Sequence, residues 1–508
     1  MNIVRYLFLI LTLHQHSVII NAQEASIIYN EPHRPQIHFS PKEKWMNDPN
    51  GMVYHKGVYH LFYQYYPDST VWGPMHWGHA ISKNMIKWKH RPIALFPDNL
   101  GYIFSGSAVV DVNNTSGFGK KGKAPLVAIF THHDPQGEKE RKNNYQYQSI
   151  AYSIDDGKTW IKYASNPVLK NPGINDFRDP KVIWFEQNKK WIMTLAVKDR
   201  IFFYSSGNLK DWTKESEFGE NLGAHGGVWE CPDLFSLEYE GKAVWILIVN
   251  INPGGPNGGS ATQYFPGDFD GKIFSPLDTV TRWLDYGPDE YAGVTWSNTE
   301  KRKIFLGWMS NWLYATVVPT EKWRSAMTIP RELKLLKTDS GMLVASTPVN
   351  ELKAIRSKPV VFNNISLSNA FSISDKIKKL SFPCLINLSL NEIKDITIRV
   401  SNQLNEELVI GFDKTRNKFF IDRIRSGKTS FHKEFAAMHF APRFTTNPQM
   451  NISLLIDVSS VELFADDGLT VMTEIFFPTS PFNQISFQSA GNLTIKKLEY
   501  MKLKNIWE

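Results

Sequence analysis

Three carboxylates stand in settings unlike those of ordinary surface acids. Asp48 lies in Trp45-Met-Asn-Asp-Pro-Asn-Gly51, Asp179 in Phe177-Arg-Asp-Pro180, and Glu230 in Trp229-Glu-Cys-Pro-Asp233. A single Asp before Pro is a common turn; three acids set among turn-formers and aromatics point to chemistry. Two carboxylates suffice to cleave a glycosidic bond with retention. One attacks the anomeric carbon, while the other protonates the departing oxygen and later activates water. The two must differ in proton affinity. Asp48, accepting hydrogen bonds from neighbouring amides, is expected to stay ionised, and Glu230, between Trp229 and Cys231, to be desolvated and hold its proton. Arg178 is expected to keep Asp179 ionised, which suits holding sugar hydroxyls.

Other chemistries find less support. His76 with His79, or His132 with His133, could start a metal site, but no third ligand follows at useful spacing, and neither metal nor cofactor is expected. The two cysteines, Cys231 and Cys384, are far apart and give no disulfide framework. Cys231, beside Glu230, is expected to tune that acid's surroundings and not to act as a nucleophile. Pro253-Gly-Gly-Pro-Asn-Gly-Gly259 follows a strand without opening a helix, so it reads as a loop and not a phosphate cradle.

The elements that must position the acids read as strands. From about residue 40 to 335, short aromatic and β-branched runs such as Gly57–Tyr63 and Lys190–Ala196 alternate with Gly, Pro, Asn and Asp turns. A hairpin echo recurs at Ser82–Trp88, Tyr152–Trp160 and Ser205–Trp212: a strand end, a polar turn, then a Trp opening the next strand. Such recurrence suggests the blades of a propeller. After Pro348 the composition shifts towards Lys, Ser, Asn and Ile, and Trp is absent until Trp507. The expected boundaries are therefore a β-propeller domain over 23–348 and a β-sandwich over 349–508, the latter with a hairpin at Asp466-Asp-Gly468.

With 508 residues, 42% of them hydrophobic, the chain can build more than one core. Its net charge of +7 raises the question of an acidic partner, yet Lys120, Lys121 and Lys123 form only a short run, and Lys139, Arg141 and Lys142 are interleaved with Glu138 and Glu140. Both runs read as solvated loops, and no nucleic-acid partner is expected. Arg5, the apolar stretch Tyr6–Leu13 and a small-residue end at Ala22 form a signal-peptide pattern over 1–22, too short to span a bilayer. Sequons at Asn113, Asn114, Asn364, Asn387, Asn451 and Asn492 agree with secretion, and no membrane partner is expected.

The three acidic motifs, together with Phe62-Tyr-Gln64, Trp72–His79, Phe104-Ser-Gly-Ser107, Gly307–Trp312 and Ser460–Gly468, resemble those of glycoside hydrolase family 32, the invertases, exo-inulinases and levanases. The resemblance covers most of the chain. It implies an all-β fold, a five-bladed propeller with an axial active-site funnel followed by a β-sandwich. It also implies Asp48 as nucleophile, Glu230 as acid/base and Asp179 as the stabiliser that binds fructose hydroxyls. By the same resemblance Asn47, Gln64, Trp72, Phe104, Ser105 and Arg178 line the fructosyl pocket, joined by Tyr291 and Trp308. One departure stands out: in Asp289-Glu-Tyr-Ala292 an aromatic residue is expected where Glu290 stands.

The implied activity is hydrolysis of terminal β-fructosides in sucrose, inulin or levan, with motifs closer to exo-acting levanases and inulinases than to a narrow invertase. A fructosyltransferase would use the same pocket, with sugar in place of water resolving the covalent intermediate. A non-catalytic sugar-binding propeller would lack at least one of the three acids, and all three are present.

Overall fold

The computed structural model describes residues 29–507 apart from positions 121, 369 and 379; the expected signal peptide lies outside the described residues. The structure is all-β, as expected from the short alternating runs. Five sheets, antiparallel but for one short strand of the first, follow one another along the first part of the chain, and two six-stranded sheets complete it.

The first strands of the five sheets are Lys44–His55, Tyr102–Val110, Phe177–Phe185, Val228–Tyr239 and Tyr291–Thr295. Each touches the first strand of the next sheet, and the fifth touches the first. Lying between neighbouring sheets, each of these strands buries more than half of its residues, and the fifth buries all of them. The fifth and first sheets are also tied by backbone: Ser297 bridges Val53, and the short strand Trp323–Arg324 pairs in parallel with Lys44 and Trp45. The hairpin echo has a structural counterpart. In sheets one to three the polar turn and Trp join the third strand to the outermost one: Ser82 to Lys89, Ser153 to Ile161 and Ser206 to Thr213.

The two six-stranded sheets face each other across one apolar core that includes Ile386, Leu454 and Leu463 from one and Ile398, Ile410 and Phe419 from the other. The expected hairpin is present, with Asp466–Gly468 between Ser460–Ala465 and Thr470–Ile475.

This sandwich is joined to the five-sheet part by buried ions. Arg331 donates to Asp285 Oδ2 at 2.8 Å and to Glu462, whose Oε1 lies 2.8 Å from His38 Nε2; His38 Nδ1 is 2.8 Å from Asp457 Oδ2. All five side chains have 0% exposure. Burial alone would strip the proton from His38, yet Asp457 and Glu462 outweigh it and lift its pKa to about 9. Such ions are stable out of water only as a complete set.

Candidate functional site

In each of the five first strands the pairing slips so that two residues oppose one on the second strand, and the first strand slips a second time, at 51–52 opposite Leu61. The doubled residues are 47–48 opposite Gln64, 104–105 opposite Thr131, 179–180 opposite Leu195, 231–232 opposite Val249 and 292–293 opposite Gly307. A bulge of this kind bends the strand and re-aims its side chains. The Asp-Pro and Cys-Pro pairs thereby acquire a physical reason. Pro180 and Pro232 within their bulges, and Pro49 directly after its own, cannot donate to a ladder, and a bulge is where that costs least. Asp179, Cys231 and Ala292 carry φ of 64°, 42° and 53°. Non-glycine residues held there store roughly 1–3 kcal/mol each, characteristic of functional positions.

The first three bulges line a cavity of about 330 Å³ in which Asp48, Asp179 and Glu230 come together, Glu230 from the residue before the fourth bulge. The size is that of a small-molecule site. Asn47, Gln64, Trp72, Phe104, Ser105 and Arg178 line it too.

Asp48 is fixed on both oxygens. Ser105 Oγ donates to Oδ2 at 2.6 Å, and Asn47 Nδ2 donates to Oδ1 at 2.9 Å, Asn47 itself being held by Trp45 Nε1 at 2.7 Å. The donors are thus a hydroxyl and a carboxamide in place of the expected amides. Burial, then the charge of Glu230, raise the Asp48 pKa against these donors. Asp179 Oδ2 accepts the Cys231 amide at 3.0 Å. Its pKa is pushed up to about 7, mainly by burial and further by Glu230 and Asp48, with Arg178 opposing. The expectation that Arg178 holds Asp179 ionised is therefore corrected: the guanidinium stands 4.0 Å from Asp179 and is spent on other acids.

Those acids are Glu230, whose Oε1 takes Arg178 Nε at 3.1 Å, and Asp176, at 2.5 Å. Tyr291 donates its hydroxyl to Glu230 Oε2. Glu230 keeps 21% side-chain exposure, so it is not the desolvated acid that its neighbours Trp229 and Cys231 suggested; its side chain points away from them to the cavity. Cys231 Sγ lies 3.6 Å from both Asp48 Oδ2 and Asp179 Oδ2. Burial and these carboxylates push its pKa well above the usual thiol value, so it stays a thiol and fills the space between two acids.

On the opposite wall Phe104 stacks on His133 at 4.2 Å, with Trp72 edge-on to it at 5.9 Å. Trp72 is 39% exposed and stands at the rim. Tyr291 reaches the site through Glu230 without lining the cavity, and Trp308, with 0% exposure, packs behind it against Trp312 at 4.9 Å. Trp312 is the tryptophan of that segment that lines the cavity. His133, Glu138, Tyr145, Gln146 and Asp176 also line it and were not foreseen. Glu138 sits on the one-turn helix Pro135–Lys139, within the stretch read as a solvated loop, and lies 3.1 Å from His133 Nε2. Nothing in its neighbours' types signals that turn towards the site.

The site can accept a neutral polyhydroxylated ligand: paired carboxylates and a guanidinium for hydroxyls, aromatic faces for apolar ring faces, and two acids on separate strands for attack and proton transfer.

Comparison with known proteins gives the same picture. Family models described as "Glycosyl hydrolases family 32 N-terminal domain" and "Glycosyl hydrolases family 32 C terminal" match residues 38–347 and 351–502. A levanase of Bacillus subtilis is 46% identical over 505 residues, covering 95% of this chain and 72% of that protein. An extracellular exo-inulinase of Aspergillus niger is 40% identical, covering 92% of this chain and 93% of that one. Among solved structures, the exo-inulinase of Aspergillus awamori superposes with a TM-score of 0.86 at 37% identity, covering 94% of this chain and 100% of that one. The β-fructofuranosidase of Schwanniomyces occidentalis, complexed with fructosyl-erythritol, gives 0.85 at 33%, covering 94% and 99%.

Proposed function

Because the chain belongs to glycoside hydrolase family 32 and is a β-fructofuranosidase acting on fructans and sucrose, we propose that it releases terminal fructosyl units by double displacement, with Asp48 as nucleophile and Glu230 as acid/base. An Asp48 oxygen attacks the anomeric carbon while Glu230 gives its proton to the departing glycosidic oxygen. Water then attacks the same carbon as Glu230 takes its proton, and the Asp48 carboxylate leaves.

The observation that carries this reading is one cavity reached by three acids from three different strands, Asp48 and Asp179 bridged by Cys231 and Glu230 clamped by Arg178 and Tyr291. Asp179 binds fructosyl hydroxyls and, when ionised, stabilises the positive charge that develops on the ring. Asn47, Gln64, Trp72, Phe104, Ser105 and Arg178 complete the fructosyl pocket. Tyr291 acts through Glu230, and Trp308 supports the wall formed by Trp312.

The ring of first strands supports a five-bladed propeller over 23–348, with the sandwich over 349–508. The leader over 1–22 supports export to the cell exterior, and among the described residues no helix is long and apolar enough to cross a membrane.

Incubation with sucrose, inulin and levan separately, with product analysis, tests the activity and its division between hydrolysis and transfer. Asp48→Ala and Glu230→Ala are expected to lose about three orders of magnitude or more in turnover with the fold intact. Azide is expected to rescue Glu230→Ala as a β-fructosyl azide; an α-product contradicts the double displacement.

A further inference from the structure

Glu290 directly precedes Tyr291 and stands where the family resemblance led us to expect an aromatic residue. Its side chain is buried, at 1% exposure, and neither carboxyl oxygen is paired: the nearby Thr262 hydroxyl, which could serve it, is given to Asn250 at 2.5 Å. A carboxylate without donors is among the costliest groups to bury, whereas the neutral acid is far cheaper.

Its place in the fold is specific. The carboxyl packs against the bare backbones of Gly293 and Gly307, the two sides of the fifth strand's bulge, where a methyl on either glycine would collide with Oε1. Asn250 ties that same bulge to the one directly after Glu230. Its side chain accepts Gly293 N at 3.2 Å and donates to Cys231 O at 2.8 Å, while Thr262 Oγ1 donates to it at 2.5 Å. The Tyr291 hydroxyl therefore arrives at Glu230 from a strand braced from behind by Asn250 and Glu290.

We propose that Glu290 is a positioning residue whose carboxyl braces the bulge Ala292-Gly293 and so sets the Tyr291 hydroxyl against Glu230. This rests on Glu230 being the acid/base. The charged groups facing Glu290 are Asp285 and Glu462, which disfavour its ionisation, and Arg331, which is occupied by both of those acids. Burial first, then Asp285, push the Glu290 pKa up to about 8. In neutral solution the brace is uncharged, and on ionisation above that range it must seek water and distort the bulge.

Steady-state kinetics on sucrose from about pH 5 to about pH 9 test this with Glu290→Gln, Glu290→Ala and the same changes in a Tyr291→Phe background. Glu290→Gln, neutral and of the same shape, keeps turnover near wild type at the acidic end. The ratio of its kcat to that of wild type rises with pH through about 8, as the wild-type carboxyl ionises and the amide does not. Glu290→Ala loses about tenfold or more in kcat with little change in KM, the effect of a misplaced hydrogen bond to a charged group. In the Tyr291→Phe background it costs nothing further.

A flat ratio across the pH range overturns the proposal, as does an equal loss from Glu290→Ala with and without the Tyr291 hydroxyl. If Glu290→Ala fails to fold, the Glu290→Gln ratio still decides. Failure of the acid/base assignment itself is seen separately, as residual activity in Glu230→Ala without azide.

Discussion

Replacing Asp179 with Asn is expected to make the protein more stable and much less active. The carboxyl is 5% exposed, close to Asp48 and Glu230, and its pKa rises from 3.8 to about 7, chiefly through burial. Between those limits the folded protein holds a proton that the unfolded chain has released. Stability must therefore fall as pH rises through this window, and the loss is complete above about pH 7. At about 1.4 kcal/mol per pH unit the strain is of the order of 4 kcal/mol. Asn has the same shape, can still accept the Cys231 amide and carries no charge to desolvate. For a chain of this size, about 1 kcal/mol per degree of Tm is expected, so thermal unfolding near pH 7.5 should shift upward by about 4 °C. The gain should vanish towards pH 3.5, where the wild-type acid is protonated in both states. Activity should fall by about a hundredfold or more, since the negative charge facing the oxocarbenium-like ring is lost. A variant no more stable than wild type near neutrality, or a gain independent of pH, would refute the argument that these acids are held together under electrostatic strain.

Two further predictions concern the join between the two parts of the chain. His38, lifted from 6.5 to about 9, contributes stability that is fully present below about pH 6.5 and is lost as pH rises through about 9. Denaturant unfolding of His38→Gln should therefore show a loss of up to roughly 3 kcal/mol at pH 6 that shrinks towards pH 10, and a constant loss would contradict it. Arg331→Met leaves Asp285 and Glu462 facing each other in a dry interior and should cost about 3–5 kcal/mol. A change under about 1 kcal/mol in the same assay would mean that water enters the cluster.

Bulges explain why the acidic motifs could be read without a structure. Asp48-Pro49, Asp179-Pro180 and Cys231-Pro232 advertise interruptions in strands, because proline cannot continue a ladder and restricts the residue before it. The chain's own sequence thus determined the all-β character, the hairpin echo, the shift after Pro348 and the choice of the three acids that the structure brings to one cavity, since each depends on neighbours within a few residues. Proton affinity does not. Arg178, adjacent to Asp179 in sequence, makes its close contacts with Glu230 and Asp176, and at Asp179 its charge is outweighed by burial together with acids about fifty and one hundred and thirty residues away. Distance along the chain also hid Glu138 and Trp312 at the cavity, the retreat of Trp308 behind it, and the ions that join His38 and Arg331 to the sandwich. Local chemistry singles out the groups proposed to react. Their charge states come from a sum of burial and Coulomb interactions that exists only once remote strands have been brought together.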